Sequence, residues 1–151
     1  MVEIINLSEH AQLIERAAQL FHSKWGVPLQ AYLQSMNDAL TTQSGVPAWY
    51  VMLNEREEII AGLGVIENDF HKRPDLTPNI CAVYVEEACR RKGIARLLLD
   101  HAAAELARHN IDMVYLITGH TGLYERYGFT FYGMIEEDDG SMIRMYQKPT
   151  R

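Results

Sequence analysis

Three consecutive cations and a glycine, Arg90-Arg91-Lys92-Gly93, stand between an apolar run and a long amphipathic segment. The run before them, Ile80-Cys81-Ala82-Val83-Tyr84-Val85, has the length and content of a strand. The segment after them, 94–109, carries Ile94, Leu97, Leu98, His101, Ala102 and Leu106 at helical spacing. The order is therefore strand, short loop, helix. A helix start leaves backbone N–H groups without intrahelical partners and carries the positive end of the dipole. Gly93 lets a ligand approach the backbone there. Together these predict a phosphate or pyrophosphate site. The bland alternative is a helix start with a solvated basic cluster.

The remaining chain alternates between the two periods. A short strand is expected over 2–6. A helix over 9–22 follows, with Ser8 as its N-cap and Leu13, Ala17, Leu20 and Phe21 on its inner face. A second helix opens after Pro28 with Leu29, Tyr32, Leu33, Met36 and Leu40. Residues 48–53 and 58–66 are apolar runs joined by a polar turn, and read as a hairpin covered on both faces. After the helix at 94–109, with Arg96 and Asp100 as a local pair on its outer face, come a strand at 112–118 and a short helix at 123–127. Gly128 closes that helix. Strands at 129–135 and 142–147 flank the acidic turn Glu136-Glu137-Asp138-Asp139-Gly140. No repeat or linker interrupts the chain, so 1–151 reads as one domain: α/β, a mixed and mostly antiparallel central sheet with helices on both faces.

Charge narrows the partners. Formal net charge is −6, which argues against nucleic acid and acidic membranes, and makes the basic loop stand out. Two cysteines, Cys81 and Cys89, exclude a disulfide framework and lack the partners for a metal site. No leader or spanning segment is visible, so a cytoplasmic location is expected.

Two motifs and the element order resemble the GNAT superfamily of acyl-CoA-dependent N-acetyltransferases. Arg90, Gly93 and Ala95 fill the fixed places of its Arg/Gln-x-x-Gly-x-Gly/Ala loop, and Val83-Tyr84-Val85 sits where the preceding strand should end. Leu123, Tyr124, Gly128 and Phe129 meet its later Leu-Tyr-x-x-x-Gly-Phe signature. The sequence departs from the pattern at Glu87, where proline is usual, at Cys89, where an aromatic is usual, and at Arg91, where glycine is common. An asparagine often found upstream of the tyrosine has no counterpart in Thr118-Gly119-His120-Thr121.

The resemblance implies acetyl-CoA lying in a V-shaped splay between strands 4 and 5. Val83 and Val85 would pair with the pantetheine amides. The backbone from Arg91 through Lys92, Gly93, Ile94 and Ala95 to Arg96 would hold the pyrophosphate, with the side chains of Arg90, Arg91 and Lys92 adding charge. Tyr124 would be the general acid to the departing thiolate, since a phenol keeps its proton at neutral pH. The base stays open among Glu67, Asp69, His71, Asp75 and His120, or a water relay, with His120 the first choice. His101 reads as a core histidine. Cys89 permits an acetyl-cysteine route, but direct attack by the amine is the expectation. The acceptor, a small-molecule amine, is expected among Trp25, the second helix and the final hairpin. No metal is expected, and a homodimer is expected by analogy alone. Two other classes remain: a non-catalytic acyl-CoA sensor, and a nucleotide-binding protein, against which the missing Lys-Ser/Thr after the glycine counts.

Overall fold

The structure is a computed structural model and describes residues 3–151. The element order is β1 (Glu3–Asn6), α1 (Ile14–Trp25), α2 (Leu29–Asp38), β2 (Ala48–Leu53), β3 (Ile59–Ile66), β4 (Asn79–Val85), α3 (Ile94–Arg108), β5 (Met113–Thr118), β6 (Thr130–Glu136) and β7 (Met142–Pro149). The sheet order is β1-β2-β3-β4-β5-β7-β6. Every neighbouring pair is antiparallel except β4 and β5, which are parallel and meet at Asn79 and Tyr115.

Alternation along β2 divides the core. Trp49 and Val51 face α1 and α2, packing with Phe21, Tyr32, Met36, Cys81 and Tyr84. Tyr50 and Met52 face α3, packing with Leu98, Leu99, Ala102, Leu106, Val114 and Leu116. Helices thus cover both faces. The β3 glycines make this possible. A Cβ on Gly64 would lie 2.5 Å from the Trp49 ring, and one on Gly62 would lie 2.8 Å from the Phe21 ring.

Three local expectations are corrected. Asn6, not Ser8, is the cap: its Oδ1 accepts from Ser8 N at 2.9 Å and Ser8 Oγ at 2.8 Å. Short 3-10 turns at Leu7–Glu9 and Ala11–Leu13 follow, and the α-helix starts only at Ile14. Leu97 is exposed and Leu99 takes its place in the buried stripe. Arg96 and Asp100 do not pair. Asp100 accepts from Lys148 Nζ at 3.1 Å, while Arg96 donates to the Arg126 carbonyl and lies over the Tyr127 ring. Both α3 side chains therefore tie the helix to the segment after β5.

Candidate active site

Two irregularities in β4 open the sheet. The first is a bulge: Gly62 pairs with Tyr84 and Gly64 with Cys81, so Ala82 and Val83 together oppose Leu63. Ala82 takes a left-handed φ of 54° to achieve it. The second is the divergence from β5. The N–H of Tyr115 donates to the Pro78 carbonyl at 3.0 Å, and past that point the two strands share no ladder. Their facing backbone groups are left for another partner. The V-shaped opening is thus present between β4 and β5.

A cavity of about 1040 Å³ runs through this opening, lined by Ile80 to Val85 on one side and Leu116 to His120 on the other. At the α3 end its wall is Cys89, Arg90, Arg91, Gly93, Ile94 and Ala95. No side chain caps α3, so its first N–H groups stay available. Gly93 has φ 78°, and a Cβ there would meet no protein atom within 4 Å. Arg91, where the family pattern favours glycine, has φ 66°. An uncapped helix start, two residues in left-handed conformations and open space before them fit a diphosphate.

The basic side chains divide their tasks. Arg90 Nε donates to the Val85 carbonyl at 3.0 Å, which ties the loop to the end of β4 and occupies one of the carbonyls expected to meet pantetheine. Val83, in the bulge, lines the cavity. Lys92 is exposed and lies off the cavity wall, as does the side chain of Arg96.

Tyr124 opens a 3-10 turn, Tyr124–Tyr127, which Gly128 closes at φ 89°. Its ring lies 6.1 Å from Tyr127, 5.9 Å from Phe129 and 6.4 Å from Tyr146, measured between ring centroids. Burial, with a smaller contribution from Tyr127, pushes its pKa up to about 12. The phenol lines the cavity and holds its proton at neutral pH. His120 lines the cavity as well, exposed at the end of β5, with its N–H on Thr118 Oγ1 at 3.1 Å.

The α1–α2 end of the cavity holds one carboxylate, Asp69. Burial pushes its pKa up to about 6, with His71 pulling it down and Glu137 pushing it up. Tyr32 and Cys81 flank it. The Tyr32 phenol rises to about 12, and the Cys81 thiol rises well above its usual range, in both cases chiefly through burial. Desolvation is the largest cause at Asp69 although its side chain stays partly exposed, because protein surrounds it on the α1–α2 side while the mouth stays open.

The other base candidates lie elsewhere or are already engaged. His71 is buried; its Nδ1 accepts from Arg73 N at 3.2 Å, so Nε2 carries the hydrogen and donates to Asn79 Oδ1 at 2.8 Å. Both ring nitrogens are used. Asp75 is exposed and paired with Arg73, and Glu67 is exposed and off the cavity wall. Trp25 and the second helix, through Tyr32, do line the cavity. The final hairpin does not. It supports the 67–78 loop instead, with Asp138 N on the Phe70 carbonyl and Lys72 N on the Glu136 carbonyl. Lys24, Trp49 and Phe70 also line this end and were not foreseen. Long-range packing alone brings them together, and no local spacing could have signalled it.

Comparison with known proteins follows the same lines. Among curated proteins, none matches this chain in sequence. Among solved structures, an acetyltransferase of the GNAT family from Streptococcus pneumoniae aligns at TM-score 0.70 and 14% identity, covering 99% of both chains. A spermidine N-acetyltransferase from Vibrio cholerae aligns at 0.66 and 14%, covering 99% of this chain and 94% of that one. An acetyltransferase from Bacillus anthracis str. Ames, in complex with acetyl coenzyme A, aligns at 0.54 and 17%, covering 68% of this chain and 62% of that one. The family description "Acetyltransferase (GNAT) domain" matches residues 47–131, from β2 through the basic loop and the Tyr124 turn into β6, and the chain belongs to the GNAT acetyltransferase family.

Proposed function

We propose that the protein moves an acetyl group from acetyl-CoA to the primary amine of a small molecule by direct attack, with Tyr124 as acid and Asp69 as base. One observation carries this reading. A single cavity joins the uncapped start of α3, Tyr124 and Asp69 through the opening between β4 and β5. Acetyl-CoA, when bound, supplies the acyl thioester. Backbone N–H groups from Arg91 to Ala95 would hold its diphosphate, with Arg90 and Arg91 as nearby countercharge. Val83 and its strand neighbours would hold the pantetheine amides.

An amine reaches the site as an ammonium ion. Above pH ~6 the Asp69 carboxylate pairs with it, and in this shielded end a neutral amine beside a neutral acid replaces two buried charges. Asp69 thereby takes the proton and frees the nitrogen lone pair. The C–N bond forms, the C–S bond breaks, and sulfur leaves with its electron pair. Tyr124 gives that sulfur its proton. The nitrogen of the adduct sheds its second proton to solvent, which also restores the proton to Tyr124 and removes the one on Asp69. His120, at the far rim of the same cavity, is the second candidate for the base. The net charge of −6 supports a small acceptor over a nucleic acid.

The test is release of free thiol from acetyl-CoA across an amine panel, in wild type and in Tyr124→Phe. Turnover in the wild type that collapses in the variant is expected. Acetyl-CoA binding without transfer to any amine would replace this reading with that of an acyl-CoA sensor.

A further inference from the structure

The acceptor end of the cavity is an aromatic frame with a single anion. Tyr32 and Trp49 meet edge to face, with centroids 5.7 Å apart, and Phe21 packs behind both at 5.8 and 5.3 Å. Trp49 Nε1 donates to Ser35 Oγ at 2.9 Å, so that wall is fixed before any ligand arrives. Tyr84 continues it, with its hydroxyl on Glu86.

Two more rings stand at the mouth, and both face water. Trp25 is 50% exposed and Phe70 is 55% exposed. Phe70 is held there at some cost. Its φ is 64°, a conformation that bulky residues avoid. The turn is clamped by Asn68 Nδ2 on the His71 carbonyl and by His71 N on Asn68 Oδ1, each at 2.9 Å. Asp138 N holds the Phe70 carbonyl at 2.9 Å. Three hydrogen bonds thus fix a strained aromatic residue at the edge of the cavity it lines.

Asp69 is the one carboxylate among the described residues lining the cavity. The second charged group at this end is a cation, Lys24, whose Nζ lies 5.2 Å over the Tyr84 ring. An acceptor with one ammonium group finds its partner in Asp69. An acceptor with a second or third ammonium group finds no further carboxylate among the described lining residues and meets Lys24 there; Glu137, whose charge reaches Asp69, lies outside the lining.

We infer that the acceptor is an aromatic monoamine: one primary amine, directed to Asp69, on a short chain from a ring held by Phe70 and Trp25 at the mouth, with the buried Tyr32 and Trp49 forming the fixed wall behind it. This deepens the transferase reading above and rests on it. Stacking and edge contacts with the frame hold the ring, and the chain carries the nitrogen to the opening between β4 and β5. The rings outside that contact set serve as the walls that exclude water.

The experiment compares 2-phenylethylamine, ethylamine and spermidine in two assays on the intact protein. Thiol release at saturating acetyl-CoA gives kcat/KM, and titration of the CoA-bound protein by tryptophan fluorescence gives amine affinity. The expected result is a preference of about tenfold or more for 2-phenylethylamine over both others in each assay, the scale of one or two ring contacts. Phe70→Ala and Trp25→Ala should shrink that ratio toward unity while leaving KM for acetyl-CoA in place. Phe70→Leu provides a second variant if Phe70→Ala does not fold. Equal or better use of spermidine or ethylamine overturns the inference, and so does an unchanged ratio in folded Phe70 and Trp25 variants. Selective binding of the aromatic amine with no thiol released from any amine sustains the inference and removes the transferase reading instead.

Discussion

Asp69→Asn should make the protein more stable and nearly inactive. The unfolded chain releases the Asp69 proton near 3.8, and the folded chain near 6. A folded-state pKa above the unfolded one means that the folded state binds more protons between those values. Stability from the protonated acid is full below about pH 4 and is lost as pH rises through about 6. A shift of two units corresponds to about 3 kcal/mol, and water entering the open cavity lowers this to about 1–3 kcal/mol. Asparagine has the shape of the protonated acid and does not titrate. Urea unfolding of wild type and variant at about pH 4 and about pH 7.5 isolates the effect, because every other carboxylate cancels in the difference. The two proteins should match at the lower pH, and the variant should lead by about 1–3 kcal/mol at the higher. In the same variant, turnover should fall by roughly 10²–10⁴, and the ionisation near pH 6 should leave the kcat/KM profile. Equal stability at both pH values, or a variant weaker at the higher one, would show that the carboxylate is not desolvated as argued. Full activity in the variant would remove Asp69 from the chemistry.

Three other outcomes are expected. Tyr124→Phe should cut kcat by roughly 10²–10³ with acetyl-CoA affinity unchanged; calorimetry beside turnover checks both, and unaltered kcat dismisses the acid role. Arg91→Gly should relieve the left-handed backbone and raise stability by about 1 kcal/mol. The same change removes a cation near the diphosphate and should weaken CoA binding about 3- to 10-fold, an effect that shrinks in salt; thermal unfolding and titration at two ionic strengths read the two effects apart. Gly64→Ala should cost about 1–3 kcal/mol, because the added carbon lands on the Trp49 ring 2.5 Å away. A displaced Trp49 should also raise KM for the amine more than KM for acetyl-CoA.

The loop-to-helix geometry at 90–95 was legible in the sequence because its physics is local. Arg90 to Ala95 is one loop feeding one helix, and Gly93 sits at the turn that the helix start requires. The departure at Arg91 was visible in the sequence, but its left-handed φ of 66° was read only from the structure. The α1–α2 end of the cavity was not legible, because it is assembled from residues far apart in sequence. Tyr32, Trp49 and Asp69 come from α2, β2 and the 67–78 loop, and each is ordinary in its own segment. Asp69 is one of five polar residues that spacing could not separate. Only burial against Tyr32 and Cys81 distinguishes it from Asp75, which points to solvent and pairs with Arg73. Ser8 and Leu97 were misplaced for a related reason. The Asn6 side chain captured the Ser8 N–H first, and a stripe drawn at 97 and 98 cannot say which of two adjacent leucines the sheet covers.

The conformational cost in this fold is concentrated where the cavity is. Among the described residues, the non-glycine positions with positive φ are Glu57, Phe70, Ala82, Arg91 and Asn110, and three of them, Phe70, Ala82 and Arg91, line the cavity. A left-handed residue other than glycine costs roughly 1–2 kcal/mol, and a carboxylate held at pKa about 6 adds to the same side. Selection for stability alone would place glycine at these positions and asparagine at 69. Each costly choice instead has a geometric result. Ala82 opens the β4 edge, Arg91 turns the loop toward the α3 start, Phe70 holds a ring at the mouth, and Asp69 sets a carboxylate of raised pKa in the wall. The core that offsets these costs is the pair of packed faces on either side of β2 and β3. Gly62 and Gly64 belong to that offset, since they admit Phe21 and Trp49. A variant that relaxes the cavity should therefore gain stability at the expense of binding or turnover, and one that disturbs the β3 glycines should lose both.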